Sequence, residues 1–197
     1  MNVNKICAGL VLLAACQTSQ AASAIYDCVG PICVNGKENF SQFKKKWKAY
    51  ASPKLKREPA SYPSLCLWDK ENGISYVFYF IGEYGTTDEP ISNTKLGEIT
   101  IAKSAVCKKE NVTQFPKSLD NEISHWIGRS KRELIERLGN PQRIDKENEI
   151  DVEISDLKNI VKENYLYFLD EKKELLFNSF GIDSNGKIVE ILISEIP

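Results

Sequence analysis

The stretch "IGRSKRELIERLGNPQ", Ile127 to Gln142, encodes a short helix with both ends specified. Ser130 stands three residues before Glu133, the spacing at which each side chain can satisfy the other residue's free backbone N–H. Leu134, Ile135 and Leu138 fall on one apolar stripe. Gly139 follows the last of them, where a left-handed cap needs no Cβ, and Pro141 forbids continuation. Beyond a polar insert, "ENYLYFLD", "KELLFNSFGID" and "IVEILIS" predict three strands. The Asn-Gly of "SNGK" between the last two predicts a tight hairpin turn rather than a calcium loop, because the terminal Glu ligand is not at the required spacing.

Upstream, the same order is legible. Phe40, Phe43, Trp47 and Tyr50 recur at helical spacing, and Pro53 predicts the stop. "SLCLWD", the turn "KENG", "ISYVFYFIG" and "GEITIAKS" follow. Aligning Asp69 with Asp170 lays "LCLWDKENGISYVFYF" against "LYFLDEKKELLFNSFG". The expected fold class is therefore α+β: two tandem modules, each a helix plus a three-stranded antiparallel sheet in two layers. The first spans 28–107, a linker 108–121, and the second 122–197. Two ordinary α+β halves of unrelated origin would give a similar pattern. In this alignment Leu65, Leu67, Leu166 and Phe168 face the helices. Period-two alternation then sends Cys66, Trp68, Tyr167 and Leu169 to the other face with Tyr165 beside them. Exposed Trp68, Tyr165 and Tyr167 on an open sheet would be partner-binding anchors; cross-strand packing is the plainer reading.

The N-terminus fits an export signal, with Lys5 before eleven mostly apolar residues, Ile6 to Cys16. That run is shorter than the about 20 residues that span a bilayer. "LAAC", Leu13 to Cys16, resembles the bacterial lipobox, which implies a signal of residues 1–15, acylation of the Cys16 thiol and a tether over 16–27. Gln17 in place of Asp implies sorting to the outer membrane, facing the periplasm. "ASA", Ala22 to Ala24, suits ordinary signal peptidase, and cleavage at Ala24 would leave a soluble periplasmic chain.

With Cys7 and Cys16 set aside, Cys28, Cys33, Cys66 and Cys107 remain for an oxidising compartment, where two disulfides are expected. Of three possible pairings, the tight "CVGPIC" loop favours Cys28 with Cys33, leaving Cys66 with Cys107. Zinc is the other reading of four cysteines, but no C-x-x-C pair occurs, and no metal or cofactor is expected.

The mature chain would carry 25 basic and 27 acidic residues, a balance without a nucleic-acid footprint. The charge is nevertheless polarised. "KKKWKAYASPKLKR", Lys44 to Arg57, has seven positive charges and no acid, whereas "DKENEIDVEISD", Asp145 to Asp156, has six acids and one Lys. Lys44, Lys45 and Lys48 on one side, and Asp151 and Glu153 on the other, could steer and orient a protein partner; solvated helix and loop surfaces are the plainer account. Catalytic patterns are sparse. His125 is the single histidine and reads as structural, and neither a metal-binding helix motif nor a nucleophile elbow nor a P-loop occurs. A hydrolase would need Asp151 and Glu153 held across a cleft in different surroundings.

The motif Gly128, Ser130, Glu133, Leu138, Gly139, Pro141, with the strands after it and the lipobox, resembles the SmpA/OmlA (BamE-like) outer-membrane lipoprotein family over residues 123–193. That resemblance implies a non-enzymatic accessory of outer-membrane protein assembly. The added first half and the acidic insert depart from the family pattern. The doubled architecture is similar to that of the β-lactamase inhibitor proteins, which implies a protein inhibitor. The expectation that follows is a non-enzymatic envelope lipoprotein that binds and neutralises a protein partner, in the form of an immunity protein against a secreted antibacterial toxin. An accessory in membrane-protein assembly is the alternative.

Overall fold

The computed structural model describes residues 26–34, 36–49, 63–81, 94–108, 122–146, 157–168 and 176–195. A two-residue ribbon, β1 (Cys28–Val29) and β2 (Ile32–Cys33), leads into α1 (Phe40–Trp47). Then come β3 (Ser64–Asp69), β4 (Ile74–Ile81) and β5 (Lys95–Ala102). A 3-10 turn (Ser124–Trp126), α2 (Lys131–Leu138), β6 (Arg143–Lys146), β7 (Val161–Phe168), β8 (Leu176–Asp183) and β9 (Ile188–Glu195) complete the order.

The expected pair of two-layer α+β modules is overturned. β3 to β9 form one seven-stranded antiparallel sheet in the order β3-β4-β5-β9-β8-β7-β6, so the described fold is mostly β. The two halves meet where β5 pairs with β9, from Glu98 opposite Ser194 to Ala102 opposite Glu190. A three-stranded module would leave each of these eight-residue strands as an open edge with unpaired backbone groups; pairing them removes both edges at once. β6, "RIDK", comes from what reads in sequence as a polar insert, and it pairs with β7 as a short charged edge. One hydrophobic cluster, from Val29 through Phe43, Phe78 and Ile101 to Leu134, Tyr167, Phe180 and Ile193, runs under both helices. The halves thus share a core.

Within that sheet the halves keep matching registers. Phe78 lies opposite Ile99 as Phe180 lies opposite Ile191, and a bulge follows Tyr79 as one follows Gly181. Each helix is tied to the start of its half's last strand: Phe40 N–H donates to Thr94 O at 3.2 Å, and Lys131 N–H to Gly186 O at 2.9 Å. Both helices open on a capping box. Ser130 and Glu133 form one, and Asn39 and Gln42 form the other. Helix α1 ends at Trp47 with Lys48 in the left-handed region at φ 51°, while Tyr50 and Pro53 lie outside the described residues. Helix α2 ends on Gly139 at φ 85°, ψ −172°; this is not the expected left-handed cap but an extended, positive-φ conformation that only glycine occupies without strain.

Both disulfides are present. Cys28–Cys33 closes the β1-β2 ribbon, and the fully buried Cys66–Cys107 joins edge strand β3 to the segment after β5.

Candidate functional site

The helix-covered face of the sheet carries Tyr165 and Tyr167, which the sequence pattern places on the other one, whereas Cys66 and Trp68 lie on that other face as expected. Tyr165 and Tyr167 are buried beneath α2, and Tyr167 Oη donates to Gly139 O at 3.1 Å. Burial raises the pKa of both phenols, and for Tyr165 the charge of Glu163 adds to the rise. Their assignment as exposed anchors is therefore corrected. The cause is a register slip: six residues separate Trp68 from its partner Ser75, but eight separate Phe168 from its partner Phe177. An alignment without a gap displaces β7 and β8 by one residue each, in opposite directions, and a shift of one exchanges the faces. Leu65 matches Tyr165, and Trp68 matches Phe168.

The second face is built from Cys66, Trp68, Val77, Tyr79, Ala102 and Val161, with Val106, Cys107 and Leu157 packed on them. Trp68 is half-buried there. Further across the sheet, Phe168 and Phe177 lie directly opposite each other with ring centroids 5.9 Å apart. Both are half-buried, as is Leu192, two strands from Leu166 in the adjoining row. Sequence alternation does mark Phe168 and Phe177 as strand residues, but only the loop length says which way they point. The face also holds buried polar groups, including Thr100, Ser179 and Asn164. A Cβ at Gly181 would press on Glu190 Cβ and Val161 Cγ2 at 3.1 Å, so these neighbours would have to give by a few tenths of an ångström.

The remaining candidate residues are dispersed. Lys44, Lys45 and Lys48 are exposed on α1, while Cys16, Asp151 and Glu153 lie outside the described residues. His125, exposed in the 3-10 turn, lines an open cleft of about 420 Å³ with Glu122, Trp126, Arg129, Glu133, Glu136 and Arg137. Arg129 lies over the Trp126 ring at 5.4 Å and its Nε donates to His125 O at 3.1 Å. Trp126 Nε1 donates to Tyr26 Oη at 3.2 Å, and the Tyr26 backbone is gripped at both N–H and C=O by the Asn178 amide at 2.7 Å. This clamp fastens the start of the described chain to β8. Burial is the main cause of a raised Tyr26 pKa.

Among the described residues, no group of three His, Cys, Asp or Glu side chains could hold a metal ion, and no helix is long and apolar enough to cross a membrane. No family model and no curated protein matches the sequence. Among solved structures, the chain is similar to a DUF4309 family protein (YjgB) from Bacillus subtilis, with 11% identity, a TM-score of 0.46 and coverage of 83% of this chain and 82% of that one.

Proposed function

We propose that this chain is a non-enzymatic envelope lipoprotein, acylated at Cys16, that binds and neutralises a protein partner across the sheet face opposite the helices. Its specific form is an immunity protein against a secreted antibacterial toxin. The observation that carries this reading is the half-buried ring pair of Phe168 and Phe177, with half-buried Leu192 and Trp68 on the same face. Aromatic side chains with part of their area in water supply large contact area at low entropic cost when a partner covers them. The sheet beneath them is fixed by pairing on both sides, so the surface is organised before the partner arrives.

A second reading, an accessory of outer-membrane protein assembly, draws on one observation. Gly128, Ser130, Glu133, Leu138, Gly139 and Pro141 build the capped helix that the lipoprotein motif describes, with Gly128 N–H donating to Ile188 O at 2.8 Å.

One experiment separates the two. The chain and its Phe168→Ser/Phe177→Ser variant are used as bait in envelope extract and against secreted effectors. Recovery of an effector that kills cells lacking this chain, with recovery lost in the variant, is the expected result. Recovery of barrel-assembly components by both baits would replace the immunity reading with the assembly one. Palmitate labelling of the wild type but not of Cys16→Ala tests the anchor.

A further inference from the structure

Helix α1 exposes positive charge that nothing in the described structure balances. Lys46 pairs with Glu38 and lies over the Trp47 ring, but Lys44, Lys45 and Lys48 make no ion pair among the described residues. Lys44 and Lys45 lie on the exposed part of the helix and Lys48 is exposed at its left-handed C-cap, whereas Phe43 is buried against Phe78 and Phe80. Helix α1 thus turns a lysine cluster outward from the helix-covered side of the sheet.

The chain enters the fold on that same side. Tyr26 is clamped by Asn178, whose β8 neighbour Phe180 packs against Trp126 in the helix-side core. Strand β8 lies three pairings from β4, over which α1 sits, a lateral distance of roughly 14 Å. The ten-residue step from Cys16 to Tyr26 spans at most about 35 Å. A lipid on Cys16 would therefore keep α1 within reach of the bilayer surface, while Phe168, Phe177 and Trp68 sit on the opposite side of the sheet.

We propose that the Lys44, Lys45 and Lys48 face of α1 is a membrane contact, seating the helix side of the molecule on anionic phospholipid headgroups. The inference rests on the lipid anchor at Cys16. Charge complementarity and the shared side of tether and lysines favour a lipid surface over an acidic protein. The contact turns the sheet's aromatic face away from the membrane, where a partner can reach it. A multiply acylated Cys16 would hold the chain to the bilayer by itself, so the role of the lysines is to orient the molecule on that surface rather than to retain it there.

The test uses the mature chain from Gln17 onward, so that neither an acyl group nor the apolar signal run contributes. It is titrated with vesicles of phosphatidylethanolamine alone and with added phosphatidylglycerol, at low and high salt. Each lysine near an anionic surface strengthens binding about fivefold, so the Lys44→Gln/Lys45→Gln/Lys48→Gln variant should lose on the order of a hundredfold in affinity for the anionic vesicles. High salt should abolish the difference, and the corresponding triple arginine variant should restore binding. Equal binding to both vesicle types, or equal binding by parent and triple glutamine variant, would overturn the contact. So would retention of an acidic protein partner that depends on these lysines while vesicle binding does not. Palmitate labelling of the wild type reports on the anchor separately, so either reading can fail without the other.

Discussion

Helices α1 and α2 hold matching places over the two halves of one sheet, with Phe43 and Leu134 as their buried centres. Each is eight residues long and each begins on a capping box tied to a strand. Their outer sides differ. On α2 the charges are matched: Lys131 with Glu163 at 3.0 Å, Arg132 with Glu136 at 2.7 Å and Arg137 with Glu122 at 3.5 Å. On α1 only Lys46 has such a partner among the described residues. Exposed pairs of this kind contribute little to stability, so the difference is a difference in what each helix offers to its surroundings. The fold demands the inner sides; it leaves the outer sides free to differ.

The halves also differ in how they are held. Both disulfides lie before residue 108, and the second half relies on packing. Cys66–Cys107 spans 41 positions and Cys28–Cys33 spans 5. Loop-closure entropy then predicts losses of about 4 and about 2 kcal/mol for the respective double alanine variants. Urea unfolding of each variant measures this. A larger loss for the ribbon disulfide would show that the first half is not stapled through its sheet.

The helix centres test whether the two halves share one core. Leu134→Ala should cost about 3 kcal/mol, because the side chain is fully buried and the space it leaves is walled by the sheet. Phe43→Leu, which puts the α2 residue in the α1 position, should cost roughly 1.5 kcal/mol as Phe78 and Phe80 lose a ring partner. A single unfolding transition is expected for both variants. Separate transitions for the two halves would contradict a continuous β5-β9 seam.

What was legible in the sequence was local. The Ser130–Glu133 box, the helix stop at Gly139 and the Asn-Gly turn are written within a few residues, and each is found in place, with Gly139 extended at positive φ rather than left-handed and Asp183 Oδ1 accepting from the backbone N–H of Asn185 at 2.9 Å and Lys187 at 2.8 Å. Asn39 followed by Gln42 carries the same signature as Ser130 with Glu133 and was open to the same reading. The seam was not legible, since nothing near Glu98 points to Ser194. The sheet faces turned on a two-residue difference in hairpin length, and parity in a strand tolerates no such error. The Tyr26–Asn178 clamp joins positions 152 apart through a side-chain amide, which no local pattern announces.

The smallest expected effect is the most specific to the comparison of the two caps. In both, an Asn or Ser side chain accepts the N3 backbone N–H, and replacing Asn39 or Ser130 by Ala should cost about 1 kcal/mol near neutral pH. Only the second cap contains a titrating group. The Ser130 backbone N–H donates to Glu133 at 2.8 Å and the Ser130 hydroxyl at 2.7 Å. These bonds, the backbone one foremost, hold the Glu133 carboxyl below the ordinary glutamate range. Because the folded pKa lies below the unfolded one, this stabilisation is complete above the unfolded value and is lost as pH falls through the folded value. The cost of Ser130→Ala should therefore shrink on acidification through and below the carboxylate range. That of Asn39→Ala, whose reciprocal partner is the neutral Gln42, should stay constant. Urea midpoints of both variants against the parent chain, taken at neutral and acid pH, measure the difference. Parallel acid dependence in the two variants would mean that the caps act through something other than the Glu133 charge.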